Sequence, residues 1–509
     1  MKVYSIVIFI YLHYFWRVEA HYTAAVIEFF PVQDRHLPAE EKLHRNINGY
    51  VTILDELSHT TKLDIIVYPE ATLTANSLFK THADVSAYSI EVNVNETSLC
   101  DTPVTTFLTP LACAAVKYQT YIALNLYERA PCTKNEETKC SEDGWSFYNT
   151  NIVFNRKGVI VSKYRKYNLF GEIYMTRPKK ADISIFRTDF NETFAMFICF
   201  DILFRQPSLD LVNKYHVKSI LYSSMWFSEL PFLTALQTQQ QWAYATDVTF
   251  LASGANNRKV GSGGTGIYHG MDGPLLFTIV GSSKSKGLVA KIPGTHGQGP
   301  KDTNTIDKKG KEMDEFHLLS DHLEPYASKL ILPNGKEIVD KVCSGEGTEF
   351  CCHFKVELEW EEELMNEDKD QYQYHMVAFS GVRSFAGVSN GGVEICAIVA
   401  CVNESLSSCG KRFPNYNNIS WRANFKKIVI NAEFDIDDNK FQFPNSLLSN
   451  IEPINVDALE WTSVMNNKRI RRTYKLKKPQ NRLMTFGIYG RDFNRDSSIH
   501  NPLRQIFYL

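Results

Sequence analysis

Glu70, Lys166 and Cys199 are of the types that together cleave an amide. Cys199 ends the apolar run FAMFIC and opens CFDILF, where a buried strand should meet a turn. Glu70 closes LDIIVYPE, and Lys166 stands in VIVSKYRKYNLFGE, each just past another apolar run. A thiol attacks only as thiolate, with a free pKa of about 8.5, so it needs a base and a positive charge beside it. A glutamate can take the thiol proton and hand it to a departing amine. A lysine ammonium, with backbone N–H groups after the cysteine, can hold the oxyanion formed on a carbonyl. Singly, each has a plainer reading. Buried cysteines are mostly inert core residues, Pro-Glu after a strand often starts a helix, and a lysine in KYRKYN reads as surface charge. Lys163 and Arg165 compete with Lys166, and spacing does not choose among them. Three strand-end positions in one α/β layer weigh the other way, because ligands gather at the carboxyl ends of strands.

The elements needed to bring them together are legible. YTAAVIEF, LDIIVY, TYIALNLY, FAMFIC, KSILYSS and VTFLAS read as strands. AEEKLHRNINGYVTILDELSH, DTPVTTFLTPLACAAVKYQ, PSLDLVNKY and PFLTALQTQQQWAYA have helical character. NTNIVFNRKGVIVSKY reads as a hairpin turning at Arg156-Lys157-Gly158. This α/β layout runs from residue 21 to 293. A linker rich in Gly, Pro and charge spans 294–315. From 316 to 509 the texture is short β-rich runs with six cysteines (HFKVELEW, MVAFSGV, VEICAIVACV, KIVINAEF, KFQFP, LMTFGIYG), which predicts a disulfide-stapled β domain.

The chain has 509 residues and a formal net charge of −2, which suggests two or three domains and gives no reason to expect nucleic acid or anionic membrane as partner. Residues 1–20 read as a signal peptide: Lys2, an apolar core from Ile6 to Trp16, and small residues at Val18-Glu19-Ala20. That core is too short to span a bilayer. The terminal RQIFYL carries no hydrophobic tail, so no membrane anchor is expected and the chain reads as secreted and extracellular. Eleven cysteines agree with an oxidising compartment, where an odd count leaves one thiol over. Cys199 alone lies inside a strand pattern and is taken as that thiol. Cys100, Cys113, Cys132, Cys140, Cys343, Cys351, Cys352, Cys396, Cys401 and Cys409 are then disulfide candidates, with Cys132 and Cys140 bracketing a polar loop as a pair. Cys351-Cys352-His353 is a poor zinc site because no second ligand pair stands at finger-like spacing, and no metal is expected. Sequons at Asn95, Asn191, Asn403 and Asn418 predict surface glycosylation. The basic run Asn467–Lys478 reads first as a solvated strand or loop. Its functional readings are a weak sulfated-glycan contact or cleavage after Arg472.

DIIVYPE, KYRKYNLFGE and FICFDILF resemble the three motifs of the nitrilase (carbon–nitrogen hydrolase) superfamily. The likeness is strongest to its secreted vanin (pantetheinase) and biotinidase branch. Pro131-Cys132, Tyr148-Asn149-Thr150, Trp226 with Leu230-Pro231, FLAS from Phe250, TGIY from Thr265 and Cys351-Cys352 carry it along almost the whole mature chain. The resemblance implies an α/β fold, a nitrilase-like α-β-β-α sandwich followed by a disulfide-rich β domain. It puts the nucleophile on Cys199, the proton acceptor on Glu70 and the oxyanion stabiliser on Lys166, rather than Lys163 or Arg165. It further suggests Glu172 as an assisting glutamate and Trp226 as a pocket wall. The implied reaction is hydrolysis of a small-molecule linear amide with no cofactor, pantetheine first and biotinyl amides second. There are departures. ATLTANS follows Glu70 where the branch has a Gly-Trp turn, and Ser224-Met225 replaces a Thr-Ala pair. Both put the substrate in doubt and motivate a rival expectation, a secreted binding protein that kept the fold and lost turnover.

Overall fold

The structure is a computed structural model. It describes residues 22–293 and 315–496, apart from 35, 75–78, 80, 95–96, 134–139, 334–335, 345–349, 362–368 and 415–417. The expected signal peptide, nearly all of the expected linker and the Asn95 sequon lie outside the described residues.

The first half runs β1 (Tyr22–Glu28), α1 (Ala39–Thr60), β2 (Ile65–Val67), α2 (His82–Ser86), β3 (Ser89–Ile90), α3 (Thr109–Tyr118), β4 (Tyr121–Pro131), β5 (Trp145–Phe154) and β6 (Ile160–Arg165). It continues with β7 (Ile185–Arg187), β8 (Thr193–Ile198), α4 (Asp210–Asn213), β9 (Ser219–Ser224), β10 (Glu229–Leu230), α5 (Ala235–Thr246), β11 (Thr249–Gly254), β12 (Thr265–His269), β13 (Pro274–Thr278) and β14 (Lys286–Ile292). One sheet has the order β14-β1-β2-β4-β5-β6 and the other β13-β12-β11-β9-β8-β7. Their centres are parallel: β1, β2 and β4 in one, β8, β9 and β11 in the other. Strands buried on both faces should be continuously apolar, and IIV of β2 and FAMFI of β8 are.

The sheets pack face to face. Val26, Val67 and Ala123 of one meet Met196, Leu221 and Leu251 of the other in one core. Ser253 Oγ donates across the gap to the Val67 carbonyl at 3.0 Å, and Ser223 Oγ to the Tyr68 carbonyl at 2.7 Å. α1 covers the outer face of the first sheet, burying Leu43, Ile47, Tyr50 and Leu54 at helical spacing. Each such side chain contributes about 1.5–3 kcal/mol. α5 covers the second sheet, with Trp242 against Phe197 and Phe250. The layers are therefore α-β-β-α.

The second half is an antiparallel sandwich. Its strands are β15 (Leu319–Ser320), β16 (Ala327–Leu330), β17 (Glu337–Ser344), β18 (Phe350–Trp360), β19 (Gln373–Phe385), β20 (Ser389–Cys401), β21 (Ala423–Asp435), β22 (Lys440–Leu448), β23 (Leu459–Asn466), β24 (Arg469–Leu476) and β25 (Leu483–Asp492). Sheet β16-β19-β20-β25-β22 faces sheet β17-β18-β21-β24-β23, and the Cys352–Cys396 disulfide joins them. Cys100–Cys113, Cys132–Cys140, Cys343–Cys351 and Cys401–Cys409 are also bonded, and Cys199 is the free cysteine. Five bridges fit an oxidising compartment. Cys351 and Cys352 are both bridged, so neither offers a thiolate to a metal.

The sandwich docks on α5 through a row of buried glutamines. Gln237 Nε2 donates to Asn445 Oδ1 at 2.7 Å, Gln240 Nε2 to the Ile454 carbonyl at 2.8 Å, and Gln241 bonds Ser446. This row explains a helix buried along its first nine residues despite its polarity: these three amides find partners in the second half, and Gln239 bonds the Gly264 carbonyl and the Tyr268 hydroxyl in the first. The basic run falls on β23, β24 and beyond. Arg469 and Arg471 pair with Asp435 and Glu433, Lys475 with Glu460 and Lys478 with Asp457. Carboxylates thus answer much of its charge. Arg472 sits within β24, bonded to strands on both sides, so cleavage after it requires local unfolding. Asn191, Asn403 and Asn418 are exposed. Among the described residues no helix is long and apolar enough to cross a membrane.

Candidate active site

Three strand ends converge between the sheets. β2 leads through Tyr68-Pro69 to Glu70, β6 ends one residue before Lys166, and β8 ends at Ile198, after which Cys199–Leu203 forms a single helical turn. Cys199 takes a left-handed backbone with φ +48°, and Ala71, next to Glu70, has φ +56°. Such conformations are uncommon for residues other than glycine and cluster at functional sites.

All three side chains are buried: Glu70 3%, Lys166 2% and Cys199 4% exposed. Lys166 Nζ donates to Glu70 Oε1 at 2.7 Å and to Glu172 Oε1 at 3.1 Å. Burial alone would push this ammonium down. The Glu172 and Glu70 carboxylates outweigh it and hold Lys166 well above the usual lysine range. The Cys199 thiol donates to the Met225 carbonyl at 3.5 Å. Burial pushes this thiol well up, the Glu70 carboxylate adds to it, and Lys166 opposes. Cys199 is therefore held as a thiol, a form that is unreactive until a base takes its proton.

A carbon-nitrogen hydrolase family model matches residues 38–275, and a Vanin C-terminal domain model matches residues 316–496. Vanin-like protein 1 of Drosophila melanogaster is 32% identical over 501 residues, covering 94% of this chain and 86% of that protein. The chain belongs to the vanin branch of the carbon–nitrogen hydrolases. Pantetheinase of Bos taurus is 28% identical over 394 residues (76% of this chain, 71% of that one). Biotinidase of Homo sapiens is 27% identical over 424 residues (77% and 72%). As a member of this family the chain is a hydrolase of carbon–nitrogen bonds other than peptide bonds.

Around the three groups, this vanin-branch hydrolase builds an amide network that sequence reasoning missed. Asn149 Nδ2 donates to Glu70 Oε1 at 2.7 Å and to Glu172 Oε1 at 2.5 Å. Asn125 Nδ2 donates to Asn149 Oδ1 at 2.6 Å, while its own oxygen accepts from the Ala71 N–H at 2.9 Å. The signal for Asn149 was present in Tyr148-Asn149-Thr150, quoted above only as a likeness; Asn125 had none. The second Glu70 oxygen accepts from the Met225 N–H at 2.8 Å. Met225, one of the departures from the branch, thus meets Glu70 and Cys199 through backbone groups that any residue supplies. Asp201 ties the lysine loop to the cysteine turn. It accepts from Asn168 N–H and Nδ2, both at 2.8 Å, from Tyr164 at 2.7 Å and from the Ile198 N–H at 3.1 Å. Burial pushes its carboxyl up to about 6 against those donors.

Glu172 reaches the site through Lys166 and Asn149, and its other oxygen accepts from the Phe170 N–H at 2.8 Å. Trp226 lines a tight cleft over Cys199 with Phe170, Phe200, Phe227 and Phe385. Its indole N–H donates to the Leu233 carbonyl at 2.7 Å, which fixes the ring. Lys163 and Arg165 point elsewhere, both onto Glu128. Phe385 and Ala386 come from the second half, at the β19–β20 turn, so the β sandwich contributes part of the wall. Glu229 also lines the cleft. Burial pushes its carboxyl up to about 7, with Arg383 opposing and Asp321 adding.

Proposed function

We propose that the chain is a secreted amidase that hydrolyses a linear amide through a thioester on Cys199. The observation that carries this reading is the buried contact of Lys166 with Glu70 beside the free, protonated Cys199 thiol. Glu70 takes the thiol proton as sulfur bonds to the carbonyl carbon, and Lys166 with backbone N–H groups after Cys199 holds the oxyanion. The C–N bond then breaks, and the Glu70 proton goes to the leaving amine. Water adds to the thioester while Glu70 takes its proton; the S–C bond breaks, the acid leaves, and the thiol regains its proton. Lys166 keeps its charge throughout, since two carboxylates face it.

Pantetheine, giving pantothenate and cysteamine, is the favoured substrate, supported by the likeness to a pantetheinase. Biotinyl amides such as biocytin stand second, because a biotinidase is similar to nearly the same degree. Purified protein assayed for release of cysteamine from pantetheine and of lysine from biocytin tests both. Turnover of neither, with folded protein, would favour the catalytically silent binding protein instead.

A further inference from the structure

The apolar cleft over Cys199 has one charged wall, Glu229. Its Oε1 accepts from Arg383 Nη2 at 3.0 Å. The same Nη2 lies 2.8 Å from Asp321 Oδ1, and the Tyr326 hydroxyl meets the other Asp321 oxygen at 3.3 Å. One guanidinium therefore answers two carboxylates, the buried Glu229 and the partly buried Asp321. Glu229 Oε2 makes no hydrogen bond among the described residues, and Arg383 Nε is buried without a partner. An acceptor left unanswered in an aromatic wall is costly unless something donates to it.

We propose that Glu229 determines specificity, its free oxygen accepting a hydrogen bond from an O–H or N–H donor on the acyl portion of the substrate, while Arg383 of β19 holds it in place. This rests on the amidase reading. The second half of the chain then supplies both an aromatic wall, Phe385, and the clamp on the pocket's single carboxylate. Two acyl groups carry such donors: the hydroxyls of a pantothenoyl chain and the ureido N–H groups of a biotinyl chain. A site built to bond a donor rejects the analogue lacking it far more strongly than an apolar pocket rejects a missing methylene.

The test uses the full chain carrying Cys199→Ala, so that amides bind without cleavage. Calorimetry compares pantetheine with its analogue lacking both hydroxyls, and biocytin with Nε-octanoyl-lysine. At about pH 8.5, above the value of about 7 to which burial pushes the Glu229 carboxyl, the donor-bearing amide in the arm that matches the natural acyl group binds roughly 10- to 100-fold more tightly, as for a hydrogen bond to a charged acceptor. Adding Glu229→Leu brings that ratio close to one. Adding Glu229→Gln, whose carboxamide oxygen is a weaker acceptor, lowers it several-fold. Ratios near one in both arms with Glu229 intact overturn the proposal, as does failure of all four amides to bind. A ratio that survives Glu229→Leu also overturns it, leaving the Glu229–Arg383–Asp321 cluster as a bolt between the two halves. Should the leucine variant not fold, an unchanged ratio in Glu229→Gln overturns it equally. Cleavage is scored separately on the wild-type chain. Discriminating binding without any cleavage would defeat the amidase reading and leave the Glu229 subsite standing.

Discussion

Replacing Lys166 with Met keeps the length of the side chain and removes its charge. The ammonium contacts Glu70 Oε1 at 2.7 Å and Glu172 Oε1 at 3.1 Å. Those contacts keep the two oxygens within about 6 Å, where like charges at an effective dielectric of about 20 repel by roughly 3 kcal/mol. Without the ammonium only Asn149 bridges them, and their repulsion is no longer offset by a positive charge. The oxyanion also loses a donor, which costs on the order of 10²–10³-fold in rate. The variant should therefore show a fall of that size in kcat/KM. Breaking a buried pair costs about 3–5 kcal/mol, so a thermal melt must first show that the variant is folded. Lys163→Met is the control. Lys163 Nζ donates to Glu128 at 2.8 Å and to the Val92 carbonyl at 3.1 Å, away from the thiol. Its removal should leave kcat/KM within about twofold, as for substitutions outside the site. A folded Lys166→Met enzyme that keeps wild-type kcat/KM, or a Lys163→Met enzyme that loses activity, would refute the reasoning.

Two further outcomes follow from burial and charge. Alkylation in denaturant without reduction should label one peptide, the one containing FICFDILF, because Cys199 is free and the other ten cysteines are bridged; a second labelled site would break the assignment. Glu28 is fully buried and pushed up to about 7 by desolvation, against backbone donors at Val280 and Gly264. A carboxyl raised in the folded state contributes stability that is whole below its unfolded value of 4.5 and is lost as pH rises toward 7, here on the order of 3 kcal/mol. Glu28→Gln should flatten that slope in urea unfolding measured across the interval, whatever it does to absolute stability, and an unchanged slope would count against it.

The strand ends were legible because an apolar run that stops at a charged or reactive residue is a local pattern. β2, β8, β9 and β11 appear where such runs predict them. The long helix α1 shows its period, whereas the segment DTPVTTFLTPLACAAVKYQ is helical only over Thr109–Tyr118, with proline in its first turn. Composition hid β24, since alternating basic residues read as readily as a loop; their partners Glu433 and Asp435 lie on β21, more than thirty positions away. The same distance problem concealed Asn125 and Asp201. A single amide or carboxylate carries no local pattern, and its role exists only once three strand ends meet. Arg383 and Phe385 were beyond reach for the same reason, being strand residues of the second half whose pocket contacts come from how the two halves dock.

The claim that everything else depends on is that acyl transfer passes through the Cys199 sulfur. Wild-type protein mixed with pantetheine, quenched in acid and digested should carry a pantothenoyl mass on the peptide containing Cys199. Glu70→Gln should accumulate that adduct if thioester hydrolysis slows more than its formation. Cys199→Ala should carry none and release no cysteamine. Cysteamine release at an undiminished rate by the Cys199→Ala chain, or an acyl mass on any other peptide, would contradict the account.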